Sequence, residues 1–444
     1  MARDDGTSSS EAPGGGLLGN LMRLVGRANA ADLAQLADAL LSERGEASGV
    51  ALAGELLAAY VAQTTDERIE FLLTLARRFG ADRVRLDRAI DRYRADPSAA
   101  NSIALHVAAE SRRQELFRRL NLAPGGTERL VRMREDVLAA AVVHPELETV
   151  DADFRHLFAS WFNRGFLELK RIDWNTPALV LERIIRYEAV HEITSWDDLR
   201  RRIDPEDRRC FAFFHPQLPG EPLIFVQVAL TREVPEAIAP LLAAGRRAVA
   251  ARRANTAVFY SISNCQDGLR GIPLGNFLIK QVVAELKRDL PDLRTFVTLS
   301  PVPGFMGWLR QERTSRAGAW LTDADRAVLA AIDEPGWPQD PARERTLRPV
   351  LTSALAEYLL RARGRNGRPL DPVARFHLNN GARLERLNWL GDLSARGLSQ
   401  AAGFMVNYLY DVFQIERNHE AFARDGRVIA SGAVQRKLRP PLSA

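Results

Sequence analysis

A chain of mixed α+β class, with an all-helical N-terminal domain followed by an α/β domain, is what this 444-residue sequence predicts. Three observations predict it. From residue 17 to about 190, apolar residues recur at helical spacing and strand-like segments are scarce. Beyond His191, short runs rich in β-branched and aromatic residues take over. Between Thr256 and Leu309 the order strand, glycine loop, helix, strand is legible, the signature of a crossover between parallel neighbours.

The elements follow in order. Met1 to Gly16 is polar and glycine-rich and reads as a disordered tail, without the apolar stretch of a secretory signal and too acidic for a mitochondrial presequence. Thr64 and Glu67 have capping-box spacing, and Ile69, Leu72, Leu73 and Ala76 form a stripe that ends at Gly80. Thr127 is expected to cap a second helix after the breaker Pro124-Gly125-Gly126. Residues 17–190 are therefore expected to form the helical domain and 191–444 the α/β domain.

In the second domain, Cys210–Phe214 and Leu223–Val228 read as a hairpin across Pro216–Gly220. Thr256–Ile262 and residues 294–299 read as parallel strands, with a helix from Asn276 to Leu290 between them. Helices are expected again at Thr322–Ile332 and from Pro349, as a first-turn proline, to about Arg363. The segment after Gly364, Arg365 to Pro369, reads as a turn or mobile loop. Asp371-Pro372 is a cap followed by an N1 proline, and Asn380-Gly381 a stop.

Composition narrows the function classes. Sixty-one basic and 56 acidic residues give +5, spread along the chain. No arginine stripe interleaved with aromatics accompanies the pI near 9.4, so nucleic acid is not an expected partner. No apolar run approaches the roughly 20 residues that span a bilayer. Two cysteines, Cys210 and Cys265, make no disulfide framework and suit a reducing compartment, and Cys265 is more naturally a buried core residue than a nucleophile. The C-terminal Pro-Leu-Ser-Ala is not a peroxisomal address, and a cytoplasmic protein is expected.

The glycine loop Asp267–Gly275 precedes a helix start, where free N–H groups and the positive dipole end suit phosphate. On the glycines alone, an ordinary βαβ unit is the favoured reading. The residues around it are more specific. Ser261-Ile262-Ser263, Gly268–Gly271, Leu274–Lys280, Leu299–Phe305, Phe376–Ala382, Leu387-Asn388-Trp389 and Met405–Tyr410 together resemble the malonyl-CoA decarboxylase family. Upstream, Ser160–Phe162, Gly165–Leu167, Ala189–His191 and Pro219–Leu223 fit the same pattern, so the resemblance runs from about Trp161 to Tyr410.

That resemblance implies a catalytic domain related to the Gcn5-type N-acetyltransferases, in which two parallel strands splay apart and acyl-CoA lies in the gap. It implies malonyl-CoA as substrate, acetyl-CoA and CO₂ as products, and homo-oligomerisation through the helical domain. Ser300 and His377 match the family's two catalytic positions. Arg270, Gly271, Ile272, Pro273, Leu274, Gly275 and Asn276 match its cradle for the CoA pyrophosphate, and Ser261 and Tyr410 match polar positions near the acyl group. Lys280 is a candidate phosphate contact, Asn379 a candidate orienter of the histidine, and His419 a solvent-side contact.

The chemistry is consistent with that set. Loss of CO₂ from a malonyl thioester leaves an electron pair that the thioester itself accepts, so no metal, biotin or pyridoxal cofactor is called for. The protein must supply donors to the developing enolate oxygen and an acid for the α-carbon. No G-x-S-x-G elbow surrounds Ser300, which favours hydrogen bonding over a hydrolase-type nucleophile. His377 falls near a helix C-terminus, which favours imidazolium and suggests a proton donor working near neutral pH. An acyl-CoA-dependent N-acyltransferase and a non-catalytic acyl-CoA sensor are the alternatives on the same fold.

Overall fold

The computed structural model describes residues 29–42, 45–272, 274, 278–315, 320–365 and 367–439. The expected tail, residues 1–16, lies outside them. Contacts divide the chain into two compact units. The first runs to Asn163 and also takes in Gln266–Ile272; the second holds Arg164–Cys265 and everything from Pro273 onward.

The first unit is helical: α1 (Ala30–Ser42), α2 (Glu46–Ala62), α3 (Thr65–Arg78), α4 (Arg83–Ala95), α5 (Ala99–Ala109), α6 (Arg112–Asn121), α7 (Gly126–Ala140) and α8 (Glu148–Trp161). The capping box of α3 is formed: the Thr64 hydroxyl accepts from the Glu67 N–H, and the Glu67 carboxylate accepts from the Thr64 N–H at 3.0 Å. Helix α7 starts differently from the sequence expectation. Gly125, in the left-handed region at φ +68°, takes the N-cap position, and Thr127 is already helical with its hydroxyl donating to Asn121 Oδ1 at 2.7 Å. Leu33, Leu56, Leu57, Phe71, Leu72, Phe117, Leu130, Val131, Phe154 and Phe158 are buried in this unit.

The second unit begins earlier than residue 191. Strand β1 (Glu168–Ile172) interrupts the helical run because it pairs antiparallel with β2 (Arg208–Phe214). Helices α9 (Ala178–Tyr187) and α10 (Trp196–Ile203) then bury Val180, Leu181, Ile184, Leu199 and Ile203 in one cluster with β2 residues Cys210 and Ala212. A strand read as polar by its own sequence, Glu-Leu-Lys-Arg-Ile, forms because its partner supplies the pairing.

Strands β3 (Pro222–Thr231), β4 (Thr256–Asn264), β5 (Thr295–Thr298), β6 (Ser300–Pro301), β7 (Arg383–Asn388) and β8 (Met405–Leu409) complete a sheet of order β1-β2-β3-β4-β5-β8-β6, with β7 also on β8. Helix α11 (Leu278–Asp289) connects β4 to β5, which are parallel as expected. Their pairing runs from Thr256↔Thr295 to Phe259↔Thr298, and the Leu299 N–H donates to the Phe259 carbonyl at 3.0 Å. Past that point the strands part company. Strand β4 continues against β3, Ser261 opposite Gln227, whereas Ser300 pairs with Val406 on β8. Ser261 and Ser300 each lie two residues beyond the last β4–β5 pair, one on each side of the splay.

Later helices are α12 (Phe305–Thr314), α13 (Asp323–Leu329), α14 (Pro341–Leu360), α15 (Pro372–Asn379), α16 (Ala395–Ala401) and α17 (Ile415–Asp425). The expected first-turn proline of α14 is not Pro349, which lies inside the helix; Asp340 caps it and Pro341 occupies the first turn. An aspartate whose side chain accepts from two N–H groups is a stronger start than a mid-helix proline is a stop.

Candidate active site

The site is assembled around α15. Asp371 accepts from the Ala374 N–H at 2.8 Å and Pro372 follows it, which starts the helix; Asn380 and Gly381 end it. That short helix places His377 in its last turn, buried at 3 % exposure. The chain then enters β7, returns along β8, and brings Tyr408 and Tyr410 beside the imidazole. Tyr408 stacks on the ring at 4.6 Å, and the Tyr410 hydroxyl meets Nδ1 at 2.8 Å. Tyr410 is itself held by its N–H donating to the Phe296 carbonyl of β5 at 2.8 Å.

Ser300 comes from the other side of the fold, at the kink where β5 gives way to β6. Its Oγ lies 3.0 Å from His377 Nε2 although 77 positions separate them in sequence. The Ser300 hydroxyl donates to Thr298 Oγ1 at 2.8 Å, and that oxygen also accepts from the Tyr408 N–H at 3.1 Å. Asn407 Nδ2 donates to the Thr298 carbonyl at 2.7 Å and so ties β8 to the same corner. The structure thus brings Ser300, His377 and Tyr410 into one continuous chain of hydrogen bonds. Thr298 completes it. Its sequence signal was Thr-x-Ser at strand spacing, which puts both hydroxyls on one face.

The expectation of an imidazolium is not met. Burial pushes the His377 pKa down from its ordinary 6.5 to about 3, so the ring is neutral at physiological pH. A helix C-terminus offers a cation about 0.3–1 kcal/mol, less than one pH unit. Desolvation outweighs it several-fold. The carbonyl of Asn379, the expected orienter, meets His419 Nδ1 at 2.5 Å.

Ser261 sits in a different polar cluster. Its hydroxyl meets both carboxylate oxygens of Glu188, at 2.8 and 2.7 Å. Glu188 also accepts from Gln227 Nε2 at 2.7 Å and from the Val190 and His191 N–H groups at 2.8 and 2.9 Å. The single hydrogen of Ser261 is therefore committed to Glu188, leaving it only acceptor capacity elsewhere. Glu188 was missed from sequence; the Ser261-x-Ser263 alternation was its only trace, since both hydroxyls face one acid.

Of the cradle, Arg270, Gly271 and Ile272 belong to the stretch that clusters with the helical unit, and Leu274 is buried. Pro273, Gly275 and Asn276 lie outside the described residues. The stretch is held closely by α7. Arg134, 1 % exposed, donates to the Gly268 and Arg270 carbonyls at 2.6 and 3.0 Å and pairs with Asp151 at 2.8 Å. A Cβ on Gly268 would stand 2.0 Å from the Val131 carbonyl oxygen, so only glycine allows this approach. Lys280 pairs with Glu416. Cys210 and Cys265 are buried and burial pushes both thiols up, as core residues rather than nucleophiles.

Comparison with known proteins fits this geometry. The profile of the malonyl-CoA decarboxylase C-terminal domain matches residues 165–444, and that of the N-terminal domain matches 79–162. The chain belongs to the malonyl-CoA decarboxylase family. The junction between the two profiles coincides with the division at Asn163 seen in the contacts. Among curated members of the family, the mitochondrial malonyl-CoA decarboxylase of Anser anser anser is 36 % identical over 399 residues, 83 % of this chain and 79 % of its own. The crystal structure of the malonyl-CoA decarboxylase from Rhodopseudomonas palustris is 58 % identical with a TM-score of 0.89, covering 92 % of this chain and 99 % of that one. That from Cupriavidus metallidurans is 36 % identical with a TM-score of 0.71, covering 94 % and 100 %. Membership of the malonyl-CoA decarboxylase family makes the chain a carboxy-lyase.

Proposed function

We propose that Ser300 and His377 carry the decarboxylation of malonyl-CoA to acetyl-CoA and CO₂ by this chain. The observation that supports this is the 3.0 Å contact between them at the mouth of the β4–β5 splay. In the reaction the bond from the α-carbon to the carboxylate breaks and its electron pair moves into the thioester, giving an enolate. In the substrate complex the Ser300 hydroxyl turns its single hydrogen from Thr298 Oγ1 to the enolate oxygen, a donor of this kind being worth about 3–4 kcal/mol of barrier. A proton then forms the new C–H bond of acetyl-CoA.

His377 is the residue that gives that proton, and its burial dictates how. A neutral ring cannot readily surrender its only N–H. The incoming malonyl carboxylate brings a negative charge that favours imidazolium, so the ring takes up a proton as substrate binds and passes it from Nε2 to the α-carbon. Nδ1 accepts the incoming proton, and the Tyr410 oxygen, 2.8 Å away, becomes its acceptor. The cradle Arg270–Asn276 receives the CoA pyrophosphate, with the loop held in place by Arg134. Ser261, committed to Glu188, shapes the acyl side of the splay without donating to it. An acyltransferase would need a base strong enough for an amine, which a ring with a pKa of about 3 is not.

The helical unit supports assembly with a second copy of the chain. Helix α5 buries only Ala108 among its apolar residues, while Ile103 and Val107 are 66 % and 45 % exposed, and Val84 on α4 is 60 % exposed. Such a face gains from burial against its like.

Product analysis with malonyl-CoA alone tests the main reading. Acetyl-CoA and CO₂ in equal amounts, with no acceptor added, are expected. Ser300→Ala and His377→Asn should each lower kcat by about a hundred-fold or more with acyl-CoA binding retained. Wild-type turnover in either variant removes that residue from the mechanism.

A further inference from the structure

We propose that Thr298 sets the tautomer of His377, acting through Ser300 as a positioning residue of the reaction centre. The argument is one of counting hydrogens. Ser300 has a single hydroxyl hydrogen, and its geometry directs that hydrogen to Thr298 Oγ1 at 2.8 Å. Toward His377, 3.0 Å away, Ser300 therefore offers only a lone pair. Two lone pairs at that distance repel, so the contact is a hydrogen bond only if Nε2 carries the ring hydrogen. In a neutral imidazole Nδ1 is then bare, and it accepts the hydrogen of the Tyr410 hydroxyl at 2.8 Å. The hydrogens of Tyr410, His377 and Ser300 are thereby placed, and Thr298 Oγ1 also accepts from the Tyr408 N–H at 3.1 Å.

The consequence is functional. Nε2–H is the form that presents a hydrogen toward the splay, whereas Nδ1–H would turn it to Tyr410. Thr298 is completely buried and reaches the imidazole through Ser300. A valine there keeps shape and β-branching but offers no acceptor. The Ser300 hydrogen would then turn to the nearest remaining acceptor, Nε2, and the ring hydrogen would move to Nδ1 and be donated to Tyr410. The inference rests on the proposed roles of Ser300 and His377, but its primary readout does not depend on activity.

Histidine-selective ¹⁵N NMR of the full-length protein tests it, with the His377 signals assigned by their loss in His377→Asn. The wild type should show Nε2 protonated and Nδ1 bare. Thr298→Val should reverse the two, and Thr298→Ser, which restores an acceptor, should return the wild-type pattern. With malonyl-CoA, Thr298→Val should lower kcat about tenfold with KM unchanged, and Thr298→Ser should recover most of the loss. An unreversed pattern in a folded Thr298→Val protein overturns the proposal. So does Nδ1–H in the wild type, which needs no variant to fold. If the tautomer reverses while Ser300→Ala keeps wild-type turnover, the catalytic reading fails and the tautomer assignment stands.

Discussion

At the scale of residues, the decisive quantity is the charge of His377. Buried and pushed to about 3, it should remain neutral across pH 5–8 in the free enzyme. An NMR titration of its ring should show no midpoint in that range, and a midpoint near 6.5 would contradict the account. Because decarboxylation of an anionic substrate consumes one proton, a malonyl-CoA analogue that cannot lose CO₂ should bind with uptake of close to one proton at pH 7.5. Calorimetry in buffers of different ionisation enthalpy measures this. Uptake near zero would mean that the proton enters only after CO₂ leaves, and would remove His377 as its carrier. The identities of Ser300, His377 and Tyr410 were legible in sequence through their family contexts. The sign of the histidine's charge was not, because helix position is a local property and desolvation is set by Tyr408, Phe376 and Tyr410 packed around it.

At the scale of elements, the glycine loop shows why a motif works only where something holds it. The loop reads in sequence as a phosphate site, yet at Gly268 the missing side chain lets α7 approach, whose Val131 carbonyl leaves no space for one. Arg134 then fastens the carbonyls of Gly268 and Arg270, and a buried charged hydrogen bond of this kind contributes about 1.5–3 kcal/mol. Arg134→Met should therefore loosen the cradle, raising KM for malonyl-CoA about tenfold while kcat changes little. An unchanged KM in a folded variant would show that the loop does not meet the CoA phosphates. Local signals predicted the capping box at Thr64 and the start of α15 at Asp371, since both are written within four residues. They misplaced the starts of α7 and α14, where two plausible caps compete and tertiary contacts choose.

For the whole molecule, His377 and His191 shape the response to acid. His377 and His191 are held neutral by burial, to about 3 and about 4, against 6.5 in an unfolded chain. Below pH 6.5 the unfolded chain binds protons that the folded one refuses, so stability falls as pH drops. Each histidine contributes a slope of about 1.4 kcal/mol per pH unit until its folded pKa is reached. Asp371, whose carboxyl burial pushes up, works in the opposite direction at the acid end. Denaturant midpoints should fall between pH 6.5 and 4.5, and less steeply in His377→Asn; equal slopes would show that the ring is not neutral when folded. The proposed assembly with a second copy is tested at the same scale. Ile103→Glu with Val107→Glu should reduce the mass seen by light scattering, and an unchanged mass would place the interface elsewhere.

By itself the sequence determined the order of helical and α/β parts, the parallel strands with their crossover helix, the candidates Ser300 and His377, and the family they signal. Each of these is written in short-range patterns: periodicity, caps, prolines and contiguous motifs. Tertiary structure alone decided that β1 draws the boundary back to Asn163, that Ser300 and His377 meet, that Ser261 answers to Glu188, and that the imidazole is neutral. These depend on partners tens of residues away and on the water excluded between them. No local pattern encodes either.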